Sequence, residues 1–586
     1  MESGEQSREQ STRPPSIHIG VLLQIEESQP STKPSVAELS HRRPSNASKD
    51  EAVAPKDEPQ WMTGRQLHIL SACFTISMFL IMLDTSVIAT AIPRITDEFH
   101  SLQDIGWYVS IYQLASAVLQ PLVGRIYHKF NNKVSFLAFF TIFEIGSIVC
   151  GAAVSSGMFI AGRAVAGVGS AGIVSGVLTI AAAAMPLQQR VLIMGIMLGC
   201  GQLGVAVGPL IGGAMTSFAT WRWCFYLNVP VGGLLVAGLL LSKVPDQCQK
   251  PSPWSTLRNL YIELDMFGFF LLSLSTVLLL LALSWGGNKY AWNSASIIWI
   301  LDGAFIVALF WLAWDWFLGD EALVPFSVIK RRPVWSGALT HCFLMTNVFC
   351  ASFYLPIYFQ AVQGASPMMS GVDVLASILS QLAAVPVASV LASRTGYVVP
   401  FAMLSAIIGA VSNGMYSTLS PTTATGQWVG YQIFNGVGRG MGMQMAIMAV
   451  QASVKPADVA TTNSFVIFVQ SLGTAIMLAA SDAIFEGSLK SGLSKQAPLA
   501  DAAAIIAAGA THFRALVSED ELPGVLVAYA LAIDHVFYLV AGVSSLGVAT
   551  SLCLGWVNLR KKQTPGNDDI PMQNLGTQQV LDIRSR

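Results

Sequence analysis

Fourteen separate apolar runs, each about 20 residues long, constrain this chain more than any other feature of its sequence. Wound as a helix rising 1.5 Å per residue, such a run crosses the roughly 30 Å hydrocarbon layer of a bilayer. Their approximate limits are 67–92, 105–124, 134–154, 158–184, 191–215, 223–243, 264–285, 296–317, 334–358, 371–392, 397–418, 428–452, 462–485 and 534–557. Composition agrees: 53% of the residues are hydrophobic, 11% are charged and the mean hydropathy is +0.56. A soluble chain carries about 25% charged residues. A soluble enzyme of 586 residues would need far more charge to coat its domains, and the apolar excess excludes a disordered scaffold. The 33 Lys+Arg against 34 Asp+Glu leave no basic field for nucleic acid. The chain reads as an all-α integral membrane protein.

Two polar tails flank the spans. Residues 1–66 are rich in Ser, Pro, Glu and Gln without apolar period, and residues 559–586 form a second tail; both are expected to be disordered. Basic residues fix the orientation. If the chain starts in the cytoplasm, the six inner loops hold twelve Lys and Arg residues, among them Arg125, Lys129, Lys133, Arg190, Lys330 and Lys455. The six short outer loops hold only Arg94, Arg222 and Lys289. This bias puts both termini in the cytoplasm of a multi-pass protein, in the plasma membrane or, alternatively, the vacuolar membrane. One outer loop, 486–533, is long, and its 499–509 stretch reads either as an amphipathic helix on the membrane or as an ordinary surface helix.

An internal repeat recurs at an offset of eight spans. Span 4 carries Gly162-Arg163 and span 12 carries Gly438-Arg439; span 1 ends Ala91-Ile92-Pro93 and span 9 ends Tyr354-Leu355-Pro356. This predicts a six-helix bundle over 67–243, a linker with inserted spans 7 and 8 over 244–333, and a second six-helix bundle over 334–558. Two such halves around a midplane site are the architecture of alternating-access transporters.

Ionisable residues inside a bilayer are costly and mark functional sites. Asp84 in span 1 and Arg163 in span 4 lie at depths about one helical turn apart, so the long Arg side chain reaches the Asp. Burial and a neighbouring Arg act on an Asp in opposite senses, so a modest rearrangement tips its protonation, as proton coupling requires. A fixed structural ion pair is the competing reading. Glu144, in mid-span 3, is either a protonated donor to a neighbouring helix or a member of a proton path. In span 5, Gly204, Gly208 and Gly212 share one face at i, i+4 spacing, followed by Gly213, while Pro209 removes a backbone donor. Close packing with a bend predicts a pivot or gate between the halves; a static tight crossing is the alternative. Asn347, Phe353 and Tyr354 of span 9, with Arg439, Met443 and Gln444 of span 12, are candidate walls of a substrate cavity, or else packing or lipid-facing positions. The 8 cysteines are scattered without CxxC, so neither a metal site nor a disulfide framework is expected. The GxGxxG of Gly167 to Gly172 lies inside an apolar span, and no GxxxxGK[ST] occurs, so neither dinucleotide nor ATP is expected.

These residues resemble the major facilitator superfamily, in particular its fourteen-span drug:proton antiporter branch, over roughly residues 65–560. Leu83-Asp84-Thr85 through Ile92-Pro93 is similar to the family's span-1 signature. Gly162-Arg163 through Gly169 resembles the span-4 motif whose Arg is linked to proton coupling. Gly204 through Gly213 resembles the span-5 antiporter motif, and Trp221-Arg222-Trp223 through Asn228-Val229-Pro230 the segment that follows it. The span 2–3 loop motif is present in altered form: Gly124 and Lys133 remain, but His128 replaces the usual Asp and Asn131 the usual Gly. The resemblance implies fourteen helices arranged as two six-helix bundles plus two inserted helices. It implies a proton-coupled exporter of small amphipathic compounds, like filamentous-fungal efflux pumps for drugs, toxins or secondary metabolites. Such a protein works as a monomer in lipid, without cofactor or ATP. A proton-coupled uptake symporter on the same fold is the alternative. The dispersed histidines argue against a membrane enzyme.

Overall fold

The computed structural model describes residues 61–100, 104–246, 250, 260–287, 290–502, 504–506 and 513–556. Residues 1–60 of the first predicted tail and all of the second lie outside the described residues, as do positions 503 and 507–509 of the 499–509 stretch; its residues 504–506 are helical. Each of the fourteen apolar runs coincides with helix. We number them α1 (Arg65–Phe99), α2 (Ile105–Lys129), α3 (Asn132–Gly151), α4 (Ser156–Ala184), α5 (Leu187–Phe218), α6 (Asn228–Leu241) and α7 (Met266–Trp285). The rest are α8 (Ala295–Leu318), α9 (Arg332–Ile357), α10 (Leu375–Thr395), α11 (Val399–Tyr416), α12 (Thr425–Gly442, resuming as Met445–Ser453), α13 (Val459–Gln496) and α14 (Leu522–Leu552). Among the described residues, 11 helices are long and apolar enough to cross a membrane by length and composition alone. Gly-rich α12, with its Gln, Asn and Arg, is not among them, as suits a helix facing protein more than lipid.

Several starts are set by side-chain caps, each worth about 1 kcal/mol. Asn131 accepts from the Val134 N–H at 3.2 Å, Ser155 from Met158 at 3.3 Å and Asp265 from Gly268 at 3.0 Å. The Asn at position 131, unusual against the resembled motif, therefore caps α3.

The repeat is visible in the packing. In the first six helices α1 packs on α5 and α6, α2 on α4, and α3 on α4 and α6. Eight helices later α9 packs on α13 and α14, α10 on α12, and α11 on α12 and α14. The two sets meet through α2 against α13 and α5 against α10. Inserted α7 and α8 pack on each other, and α7 reaches both α2 and α13. Arg125 of α2 donates to the carbonyls of Glu321 and Ala322 after α8, and Asp265 accepts from Trp314 Nε1 and the Leu323 N–H, both at 2.9 Å. The inserted pair is thus pinned to the seam between the two sets.

The apolar core differs between the two ends. At the end where α1 begins, here called the basic face, one cluster runs through both sets, joining Leu70, Val123, Leu178 and Val191 to Ala388, Met448, Val450 and Val466. At the opposite end the cores are separate. Val87, Ile95, Tyr108, Phe159 and Trp221 form one, and Tyr354, Tyr358, Tyr416, Leu489 and Phe537 another. The two halves are fused at the basic face and parted at the other.

Candidate functional site

Asp84 and Arg163 meet in the core of the first six helices. Arg163 donates through a terminal nitrogen to Asp84 Oδ2 at 2.6 Å, and the side chains are 0% and 1% exposed. The other guanidinium contacts come from α2: Nε donates to the Tyr108 carbonyl at 3.2 Å, and the group lies 4.4 Å from the Tyr112 ring centre. Asn228, at the start of α6, donates to Asp84 Oδ1 at 3.4 Å and to Ser147 Oγ of α3 at 3.1 Å. Five helices therefore converge on one ion pair. A buried pair of this kind is poorly suited to losing one member, since the remaining charge is stranded in low dielectric.

Glu144 sits nearby on α3, with no hydrogen-bond partner on either oxygen among the described residues. Gly232 of α6 lies against its carboxylate, where any Cβ would collide. The sequence reading missed Asn228 and Tyr112, because neutral polar residues do not stand out in an apolar run as charges do. The only sequence signal for Asn228 was its place in the Asn-Val-Pro string.

The second six helices hold a neutral counterpart. Counting from the Pro that closes each first span, Asn347 of α9 occupies the place of Asp84. Asn435 of α12 donates to Asn347 Oδ1 at 3.2 Å and to Ser412 Oγ at 2.7 Å. An amide bridge stands where the first half has an ion pair.

The span-5 motif needs a correction. Gly204, Gly208 and Gly212 do not face the other half. A Cβ on Gly204 would meet the Phe79 carbonyl at 2.6 Å, one on Gly208 would meet Ser86, and one on Gly212 would meet Thr90 and the Val87 carbonyl. All of these are on α1, so the stripe fixes a close α1–α5 crossing within one half. Gly213 faces open space, with nothing within 4 Å. The Pro209 side chain lies outside the described residues, and α5 runs as one helix through it. The α5 glycines that touch the other half are Gly195, against Ser389, Val385 and Gln444, and Gly199, against Leu382. Spacing revealed a tight helix crossing; it could not reveal the partner.

Gly124 and His128 of the loop motif do reach across. Gly124 lies against Ser464 and Thr461 of α13, and His128 Nδ1 is 2.8 Å from the Ala457 carbonyl just before α13. With a carbonyl as partner, that nitrogen carries the proton. Burial pushes the His128 pKa below the usual 6.5, and Arg125, Lys250 and Lys129 push the same way, against the carbonyl bond. Lys133 instead stays in its own half, donating to the Leu240 and Ser242 carbonyls at 2.9 Å, at the end of α6. Deeper in the seam, Arg190 donates to Gln451 at 2.8 Å and Gln451 to Asn463 at 3.1 Å. Ser464 donates to Ser175 at 3.1 Å and Ser175 to Gln120 at 2.7 Å. These bonds and the shared apolar cluster close the basic face.

At the opposite face the apolar cores of the two halves are separate among the described residues. Glu98 accepts from Trp221 at 2.6 Å and from Arg222 at 2.9 Å, and both bonds hold its carboxyl below the usual range.

The predicted cavity residues are placed unevenly. Met443 joins Met345, Val348 and Val385 in a small cluster that touches Leu198 of α5, at the seam. Gln444 lies beside Gly195 of α5, and Arg439 is buried one turn from Met443. Asn347 is buried in the amide bridge. Tyr354 is buried too, donating to Asp482 of α13 at 2.6 Å. These two are engaged within their own half. Phe353 is 55% exposed and enclosed by nothing.

Residues 74–478 match the family model described as Major Facilitator Superfamily. The chain is 45% identical to the MFS-type transporter pigP of Monascus ruber, over 88% of this chain and 90% of that protein. It is 42% identical to the efflux pump mlcE of Penicillium citrinum, over 88% of this chain and 94% of the pump. It is 36% identical to the efflux pump aflT of Aspergillus parasiticus, over 86% and 98%. Among solved structures, the human organic anion transporter MFSD10 shares the fold with a TM-score of 0.55 at 13% identity, over 83% of this chain and 100% of that one. The proton:xylose symporter XylE does so with a TM-score of 0.52 at 12% identity, over 83% and 94%.

Proposed function

The chain belongs to the major facilitator superfamily, and from that premise we propose that it is a proton-driven exporter of small amphipathic organic compounds. It works by alternating access, with the proton gradient as its only energy source. The basic face lies in the cytoplasm, because cytoplasmic loops collect Lys and Arg. The halves are then sealed inside and parted outside, the state in which an exporter releases cargo and takes up a proton.

The observation that carries this reading is the buried Asp84–Arg163 pair. A proton on Asp84 cancels its attraction for Arg163 and leaves the guanidinium with the Tyr108 carbonyl and the Tyr112 ring, both on α2. Helix α2 also carries Gly124 and His128 into the inner seal. A change of charge at Asp84 therefore bears on the helix that closes the cytoplasmic face, and release of that seal exposes the cavity to cargo from inside. The names of several relatives as efflux pumps support export over uptake. The amide bridge that stands in the place of the ion pair cannot titrate, so at this pair of positions coupling rests on the first half.

The test uses proteoliposomes holding a pH difference, with internal pyranine reporting proton flow as amphipathic compounds are added one by one. The parent protein is expected to collapse the gradient faster with its cargo, and Asp84→Asn to insert normally but not respond. Cargo movement at equal speed with and without a pH difference would overturn the proposal.

A further inference from the structure

Arg439 carries a charge that the fold leaves unanswered. It lies on α12, 14 residues past the helix start at Thr425, and is 3% exposed. At 1.5 Å per residue this is about 21 Å along the helix, well inside the membrane. Its Nε has no hydrogen-bond partner, and no ion pair to it occurs among the described residues. The sequence explains why: α9, α10, α11 and α12 contain no Asp or Glu at all, α13 has none before Asp482, and α14 has Asp534 alone, which forms no ion pair with Arg439 among the described residues. Among the described residues, Tyr416 is the titratable group that acts on Arg439, and its buried hydroxyl is itself without a partner. The contrast with the first half is direct. There the buried Arg has Asp84; here Asn347 stands in that place and pairs with Asn435.

Burying a lone guanidinium is among the costlier things a membrane protein can do, and it is normally offset by an anion. Arg439 shares a helix face with Asn435, one turn before it, and with Met443, one turn after. Met443 packs in the cluster that touches Leu198 of the opposite half. On that face Asn435 bonds to Asn347 and Ser412 within the second half, and Met443 brings the face to the seam.

We infer that Arg439, with the Tyr416 hydroxyl, binds the anionic group of the cargo, so that the compounds carried are amphipathic organic anions such as carboxylates. This rests on the exporter reading and narrows it. The apolar body of the cargo lies against Met345, Val348 and Met443, whose flexible and branched side chains accept varied shapes. Its charge completes the ion pair that the second half lacks.

The experiment measures binding by the full chain purified in detergent, using tritiated 2-naphthoate as probe. Competitors are unlabelled 2-naphthoate, uncharged 2-naphthamide and cationic 2-naphthylmethylamine. The carboxylate is expected to compete at least tenfold better than the amide, and the amine worse than both. Arg439→Gln is expected to erase the tenfold preference, Arg439→Lys to keep part of it, and Tyr416→Phe to weaken carboxylate binding alone. The Arg439→Gln protein is expected to melt at or above the parental temperature, since it no longer buries a lone charge. Equal competition by all three compounds in the parent, or a preference that survives Arg439→Gln, would overturn the inference. A melting temperature several degrees lower in Arg439→Gln would do so too, by giving the side chain a structural partner. No pH gradient enters this assay, so a failure of proton-driven transport would count against the exporter reading alone.

Discussion

Asp84 and Arg163 hold each other in a site with almost no water, so replacing one strands the other. Arg163→Gln is expected to cost roughly 3–5 kcal/mol, because it leaves an unpaired buried carboxylate. Adding Asp84→Asn to the same chain is expected to recover most of that loss. Melting curves in detergent for the two single variants and the double variant check this, and near-additive losses would refute it. His128 gives a prediction with a pH sign. Its pKa in the folded protein lies below the ordinary 6.5, so the neutral ring is the favoured form. Its contribution is complete above that ordinary value and is lost as pH falls through its own lower one. Acidifying the basic face is therefore expected to widen the distance between spin labels on the ends of α2 and α13, and His128→Gln to blunt the response. The residue-level site was only partly legible in the sequence. Asp84, Arg163 and Glu144 stood out because charge is rare in apolar runs. Asn228 and Tyr112 did not, and Arg125 passed for an ordinary positive charge of an inner loop until its grip on the Glu321 and Ala322 carbonyls was visible.

Helix α5 tests packing with an internal control. Gly208→Val is expected to push Ser86 and α1 away and to cost about 1–3 kcal/mol, as overpacking does. Gly213→Ala, facing open space, is expected to stay within about 0.5 kcal/mol of the parent. Thermal stability by size-exclusion chromatography separates the two; equal losses would mean that the stripe is not a contact surface. The i, i+4 pattern was written plainly in the sequence, yet it fits any close neighbour. Only the arrangement of helices assigns it to α1 rather than to the other half. Most of the fourteen helices were legible to within a few residues, because hydropathy reports burial in lipid directly; α13 and α14 run 11 and 12 residues further into the expected outer loop, α13 because its polar end lies past the apolar run. The two glycines that do cross the seam, Gly195 and Gly199, were not singled out, since nothing local distinguishes a helix that faces a moving neighbour from one that faces a fixed one.

Across the whole molecule, one face is sealed and the other parted. Ser175 and Ser464 are 3.1 Å apart across the seal, the first on α4 and the second on α13. In a chain freed of its native cysteines, Ser175→Cys with Ser464→Cys is expected to form a disulfide under mild oxidation. The linked protein should lose transport and regain it on reduction. Full transport with the disulfide intact would show that this end need not open. The repeat pointed to two related sets of six helices; it could not show which helices pair or which end is closed, because a closed and an open seam use the same residues.

The parted face also has a pharmacological consequence. If it looks outward, the seam where Met443 approaches Leu198 is approached from the medium without crossing the lipid. A blocker would not have to enter the cell, and so would not itself be removed by an exporter. A bulky, membrane-impermeant compound wedged between α1 and α9 would hold the two bundles apart and stall the cycle from outside.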